Sequence, residues 1–277
     1  MSFAIPDYVT KEAPWSISKV GTLEKCGLQF DYKYHQKIKE QVTFANSLLG
    51  KAVHRALELS LEGLVSVDKA FTMAQLEFTL TETEVEQLLT FRTQCSAFVN
   101  KMIKFKQKHF VKEVLLEKKL SITSEFKGVG FFSKQGLLRG VVDYALITQD
   151  NYAIVIDHKT GRQLEMKDYD TQFRSYCLLM LAQYPYLQGV QTAVNFVASD
   201  QLIWNKMRTA EEIIDQDRPW LVNYLANACA PLKLTLIGKK SSSCDYCPYG
   251  PKMATAPICT LYGGTGKPPE ESTTVHG

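Results

Sequence analysis

No run of apolar residues in the 277-residue chain approaches the roughly 20 needed to cross a bilayer, so no membrane-spanning helix is expected. The first residues, Met1 to Lys11, lack the basic-then-apolar layout of a signal peptide, which points to a cytosolic protein. Charge of one sign is scarce as well: 32 Lys and Arg oppose 29 Asp and Glu, a formal +3. Contact with a polyanion must therefore come from local clustering of basic residues, since bulk charge argues neither for nor against it. The chain has no internal repeat and no low-complexity tract, and between Ser16 and His109 it has almost no Pro or Gly.

What is present is a core's worth of apolar surface, 45% of the residues, in a chain long enough for one large domain. From Ser16 to about His109 apolar residues recur at three and four spacing (Leu48, Leu49, Ala52, Val53, Ala56, Leu57), which predicts helices. From Val111 the pattern changes to short β-rich runs: Val111 to Ile122, Gly128 to Phe132, Leu137 to Ile147 and Tyr152 to His158, simplest as a small antiparallel sheet. A helix over about Tyr169 to Tyr184, β-rich runs at Val190 to Val197 and Gln201 to Met207, and a helix over about Ala210 to Cys229 follow. The fold class read from this order is α/β. Beyond Ile237 the chain carries Gly, Pro, Ser and three cysteines, and residues 266–277 read as a disordered tail.

Two segments carry chemistry: Gly140-Val141-Val142-Asp143 and Ile154-Val155-Ile156-Asp157-His158-Lys159-Thr160-Gly161. Each ends an apolar run on an acid. Alternation along a strand puts Asp157 and Lys159 on one face and His158 on the other. A three-residue loop centred on Asp150 would place Asp143 opposite Asp157, with Cβ atoms roughly 5 Å apart. Two carboxylates that close repel unless a cation lies between them, and oxygen ligands of this kind suit Mg²⁺ or Mn²⁺. The cation would polarise a phosphate and acidify a bound water, and the lysine would orient that water, which is phosphodiester hydrolysis. The bland alternative is that both acids merely end strands.

These motifs resemble the PD-(D/E)XK nuclease superfamily, in particular its RecB-like branch with the CRISPR-associated exonucleases. The resemblance implies a restriction-endonuclease-like core, a central mixed sheet flanked by helices, over residues 1–265: 16–109 mainly helical, 111–237 the catalytic α/β core, 238–265 a cysteine-bearing extension. Gly140 to Asp143 matches the first motif, Asp157 to Gly161 the branch's D-x-K-T-G, and Gln172 with Tyr176 its Q-x3-Y on one helix face. Gly50-Lys51-Ala52-Val53-His54-Arg55-Ala56-Leu57-Glu58 resembles the G-x3-H-x2-L-E helix, which makes His54 an implied metal ligand beside Asp143, Asp157 and the backbone carbonyl of His158. Glu117 sits where many relatives carry a further acid, although it also reads as one solvated charge on a strand.

The cysteines divide. Cys244, Cys247 and Cys259 form a C-x2-C-x11-C cluster, and in a reducing compartment such clusters read as metal or cluster ligands more readily than disulfides. The resemblance implies that Cys26 joins them around a [4Fe-4S] cluster, with Zn²⁺ in a Cys₄ site as the alternative and a departure from the family in the long last spacing. Cys95, Cys177 and Cys229 read as core residues. For DNA contacts, Arg139, Arg162 and Arg174 flank the motifs, and Lys101, Lys104, Lys106 and Lys108 form a basic run that is otherwise a solvated helix face. The expected function is a Mg²⁺- or Mn²⁺-dependent exonuclease on single-stranded DNA or DNA ends in recombination, repair or replication, with protein partners from those processes. A structure-specific endonuclease, or a non-catalytic nucleic-acid-binding module on the same fold, is the alternative.

Overall fold

The computed structural model describes residues 4–40, 45–161, 165–250, 258–262 and 264. Arg162 and the tail at 266–277 lie outside them. In chain order the helices are α1 (Asp7–Thr10), α2 (Ile17–Lys25), α3 (Gly27–Phe30), α4 (Ala45–Glu62), α5 (Val67–Glu77), α6 (Glu82–Thr90), α7 (Arg92–Lys108), α8 (Asp170–Gln183), α9 (Ala210–Glu212) and α10 (Arg218–Ala228). The strands are β1 (Val111–Ile122), β2 (Gly128–Val129), β3 (Leu138–Thr148), β4 (Tyr152–Lys159), β5 (Gly189–Phe196), β6 (Gln201–Trp204) and β7 (Arg208–Thr209).

The chain gathers into two compact units, one of Met1–Ile17 with Phe44–Tyr224 and one of Ser18–Thr43 with Leu225–Gly277. The first holds a seven-stranded mixed sheet in the order β2-β1-β3-β4-β5-β6, with β7 pairing β5. The antiparallel reading holds for β1, β3 and β4, but β4 and β5 are parallel, which requires a crossover, and α8 supplies it. Leu49, Ala52, Val53, Ala56 and Leu57 of α4 pack with Phe98 and Met102 of α7 against Tyr144, Leu146, Ile154, Ile156 and Ala193 of the sheet. Local signals start the flanking helices: the Ser66 side chain accepts from Lys69 N–H ahead of α5, and Thr81 with Glu84 forms a capping box on α6.

Two differences from expectation have plain causes. The run Gly128 to Phe132 keeps only two residues in the sheet, because a turn closes when Ser133 N–H donates to Gly130 O at 2.9 Å, leaving Phe131 and Phe132 outside the ladder. The helix over Ala210 to Cys229 is interrupted by a π-helical turn, Ile213–Asp217, which carries the buried Asp217.

The second unit has a small core of Tyr32, Ile38, Tyr249, Ile258 and Cys259, to which Leu28, Cys247 and Leu261 add partly buried surface. Tyr249 is its hub: the ring meets Tyr32 edge-on at 5.4 Å and the hydroxyl donates to Ile38 O at 2.9 Å.

Candidate active site

The β3–β4 hairpin has the register expected for the two acids. Tyr144 pairs with Ile156 and Ile147 with Ala153, around a turn in which Asn151, in the left-handed region at φ 62°, donates its N–H to Thr148 O at 3.0 Å. The next position in that register is Asp143 opposite Asp157. There the ladder opens: His158 N–H donates to Asp143 Oδ2 at 2.8 Å, so a carboxylate takes the place of a backbone carbonyl.

Asp157 is buried and held on three sides. Its Oδ1 accepts from Gln172 Nε2 at 2.8 Å and from Tyr176 Oη at 3.1 Å, and Gln172 Nε2 also donates to Tyr176 Oη at 2.7 Å, as their i, i+4 spacing on α8 allows. Its Oδ2 lies 2.6 Å from Lys159 Nζ, a close ion pair whose alignment is not that of a hydrogen bond. Gly140 eases the close approach of α8: a Cβ there would lie 2.9 Å from Leu179 Cδ1, which would have to shift, and 3.7 Å from Tyr176 Cε1, an ordinary contact. At Gly50 of α4 a Cβ would meet Thr160 Oγ1 at 3.2 Å, a tight contact with the end of the β4 motif.

Helix α4 brings His54 to the same place, with Nδ1 3.6 Å from Asp143 Oδ2. Glu117 arrives from β1, where pairing with β3 skips from Leu116–Tyr144 to Lys118–Val142, leaving Glu117 across from Asp143. Its φ of 44° is a left-handed conformation that costs a non-glycine residue on the order of 1 kcal/mol, and such strain concentrates where function requires it. His54, Glu117 and Asp143 each offer a ligand atom, all within 4.8 Å of one another, and among the described residues they are the one group of three or more that does so. Beside them opens a cleft of about 540 Å³ lined by Lys51, His54, Arg55, Glu58, Phe78 and Glu117.

The electrostatics are those of crowded acids. Burial first, and then the Asp157 charge, push the Asp143 carboxyl up to about 6, and burial with the Asp143 charge pushes Glu117 up to about 7. Both acids hold a proton more tightly in the folded chain than in the unfolded one. Their contribution to stability is therefore complete below about pH 4 and is lost as pH rises through 6 to 7. In metal-free protein, Asp143→Asn should gain melting temperature relative to wild type as pH rises across that window. A difference between the two that does not change with pH would contradict the crowding.

Other candidates are placed differently. The His158 ring points away from the acids into the core, stacked edge-on with Phe98 at 5.1 Å and bonded through Nδ1 to Asn195 at 3.1 Å; burial pushes its pKa well down, so the ring is neutral. Asn195 escapes a reading of the sequence, although a lone amide near the end of an apolar strand is a signal of such a partner. Arg174 is committed elsewhere: Nε donates to the buried Asp217 at 2.6 Å, Arg208 also pairs with that carboxylate, and the Arg174 guanidinium lies over Trp220 at 4.4 Å. Arg139 stays half-exposed beside Phe131, and Lys101, Lys104 and Lys108 are exposed on α7.

In the second unit Cys26, Cys244, Cys247 and Cys259 line one pocket with Tyr32 and Tyr249. The long Cys247 to Cys259 spacing closes because Cys259 N–H donates to Tyr249 O at 3.0 Å. Burial raises the Cys247 and Cys259 thiols, and the neighbouring thiols raise them further. None of the seven cysteines is in a disulfide, and Cys95, Cys177 and Cys229 are buried.

Residues 14–251 match the family model of the PD-(D/E)XK nuclease superfamily. Among solved structures, the "Putative exonuclease" from Eubacterium rectale aligns with 92% of this chain and 94% of its own at 12% identity and a TM-score of 0.49. The protein SSO0001 aligns with 83% of this chain and 96% of its own at 14% identity and a TM-score of 0.33. A search of curated proteins finds no match. Among the described residues no helix is long and apolar enough to cross a membrane.

Proposed function

This chain belongs to the PD-(D/E)XK nuclease superfamily, and we propose that it is a Mg²⁺- or Mn²⁺-dependent deoxyribonuclease that degrades single-stranded DNA or DNA ends in the cytoplasm during recombination, repair or replication. The observation that carries the reading is the meeting of His54, Glu117 and Asp143 within 4.8 Å beside the Asp157–Lys159 pair. One imidazole and several carboxylate oxygens fit a hard divalent cation, and the raised Asp143 and Glu117 are what such a donor set shows before a cation neutralises it. Once bound, the cation would polarise the scissile phosphate and lower the pKa of a water.

The chain's own residues divide the remaining work. His54, Glu117, Asp143 and Asp157, with the His158 carbonyl, would hold the cation. Gln172 and Tyr176 are positioning residues, since both bond the oxygen of Asp157 that faces away from Lys159. Lys159, with a side chain 30% exposed, orients the attacking water and meets charge developing on phosphate. Lys159→Ala should lose about 10²-fold or more in turnover while still binding Mn²⁺, and Lys159→Arg should not restore it, because a planar guanidinium cannot replace a compact ammonium. Full activity in Lys159→Ala would remove the lysine from the chemistry. The general test is hydrolysis of end-labelled linear and circular DNA, single-stranded and duplex, with Mg²⁺, Mn²⁺ or Ca²⁺. A requirement for a free end supports the exonuclease reading, and cutting of circles supports an endonuclease.

The four clustered cysteines hold a [4Fe-4S] cluster in this reading. A tetrahedral zinc with bonds of about 2.3 Å keeps its sulfurs only about 3.8 Å apart. Either metal would find four thiols in this one pocket, and the cluster is preferred here because one early cysteine joining three late ones is the pattern of the iron-sulfur branch the chain resembles.

A further inference from the structure

The loop between β2 and β3 carries two adjacent aromatic rings beside basic side chains. Phe132 is 80% exposed, and Phe131 beside it meets it edge-on at 5.2 Å. Lys119 Nζ lies 6.0 Å from the Phe131 ring and 5.9 Å from the Phe132 ring, and the Arg139 guanidinium lies 5.3 Å from Phe131. Residues 118–139 contain five basic residues (Lys118, Lys119, Lys127, Lys134, Arg139) against the single acid Glu125, an excess of four in a chain whose total is +3. The loop is held, not loose: Ser133 N–H donates to Gly130 O at 2.9 Å, Gly136 N–H to Ser133 O at 3.2 Å, and Leu137 N–H to Ile122 O at 2.6 Å. Two adjacent rings on a hydrogen-bonded turn, with Lys119 near both and Arg139 near one, form an aromatic and basic patch at the surface.

We infer that Phe132 is a stacking platform for a nucleobase of single-stranded DNA, with Lys119 and Arg139 holding the flanking phosphates; this rests on the nuclease reading above. Base–aromatic stacking combined with a basic surround is how single strands are held without sequence readout. The placement suits it. Lys119 and Arg139 stand on the two strands that carry Glu117 and Asp143 further along, and Asp143 is four residue steps from Arg139 along β3, about 13 Å at the rise of a strand. A base on Phe132 would then lie only a few nucleotides from the scissile bond, which would select strands with unpaired bases at the cut.

The test uses the full chain in EDTA, so that no bond is cut, with a short single strand carrying 2-aminopurine near one end. Wild type should bind and quench the probe by stacking. Phe132→Ala should bind about tenfold more weakly and lose the quenching, and Phe132→Trp should keep both. Lys119→Ala and Arg139→Ala should weaken binding and flatten its salt dependence while the quenching survives at saturation. Because Phe132 is so exposed, the melting temperature of Phe132→Ala should equal that of wild type. Binding and quenching unchanged in Phe132→Ala would overturn the inference alone, leaving the nuclease reading intact. Failure of wild type to bind the strand would overturn the inference, and the nuclease reading would fall with it only if cation-dependent hydrolysis of single-stranded and duplex DNA were absent as well.

Discussion

Asp143→Ala and Asp157→Ala should each lower Mg²⁺- or Mn²⁺-dependent hydrolysis by about 10³-fold or more, with DNA binding largely preserved, because cleavage depends on the cation and binding on basic contacts. The two carboxylates fail for different reasons. Asp143 joins His54 and Glu117 in the trio of ligand atoms, so its removal leaves two of the three donors and relieves the repulsion that raises Glu117. Asp157 is buried with Gln172, Tyr176 and Lys159 all turned toward it, so Ala would also strand the Gln172 amide and the Lys159 ammonium. Asp157→Asn separates charge from scaffold. Its amide oxygen can still accept from Gln172 and Tyr176 although its NH2 faces Lys159, so the fold should lose less melting temperature than in Asp157→Ala, while the negative charge is gone and hydrolysis should remain near the level of the Ala variant. Wild-type turnover in any of these proteins would show that the carboxylate is not part of the chemistry.

Much of this site is legible in the amino-acid sequence alone, for identifiable reasons. Asp143 and Asp157 end apolar runs separated by a turn whose length sets the register, and Gln172 and Tyr176 need only an α-helix to meet. Glu117 is not legible to the same degree. Leu115-Leu116-Glu117-Lys118-Lys119 reads as a strand running into solvated charge, and only the left-handed backbone at Glu117 and the skipped pair with β3 bring its carboxylate to Asp143 and His54. The parallel pairing of β4 with β5 is equally hidden, since hydrophobic alternation says which face a strand buries and not which neighbour it takes. Arg174 shows the limit of proximity in sequence: two residues from Gln172 on a helix is the opposite side, where Asp217 and Trp220 claim the guanidinium.

Replacing any one of Cys26, Cys244, Cys247 or Cys259 by Ser should bleach a brown, anaerobically purified protein that carries about four irons per chain, and should lower its melting temperature by roughly 10 °C. The size of the expected effect follows from how little packing surrounds the four thiols themselves. Among the described residues the buried cluster at the pocket is five side chains, while Leu234, Ile237 and Tyr246 are each more than 70% exposed. So small an apolar surface supplies little of the free energy that ordering the segment costs, and metal–thiolate bonds are the usual remedy in scaffolds of this kind. Cys259 belongs both to that cluster of side chains and to the pocket, so its loss would remove packing and a ligand together, and Cys26 would be the ligand that ties the early segment to the late one. Ala at Cys95, Cys177 or Cys229 should leave colour and iron content unchanged, because these thiols are buried away from the pocket, although each leaves a small cavity. Nuclease activity measured beside the iron content separates the roles: a structural cluster predicts that the bleached variants lose stability first and keep cation-dependent turnover at temperatures where they remain folded. Colourless protein with one zinc per chain would replace the cluster by a Cys₄ zinc site, and wild-type protein free of both metals would remove the ligand role of the four thiols altogether.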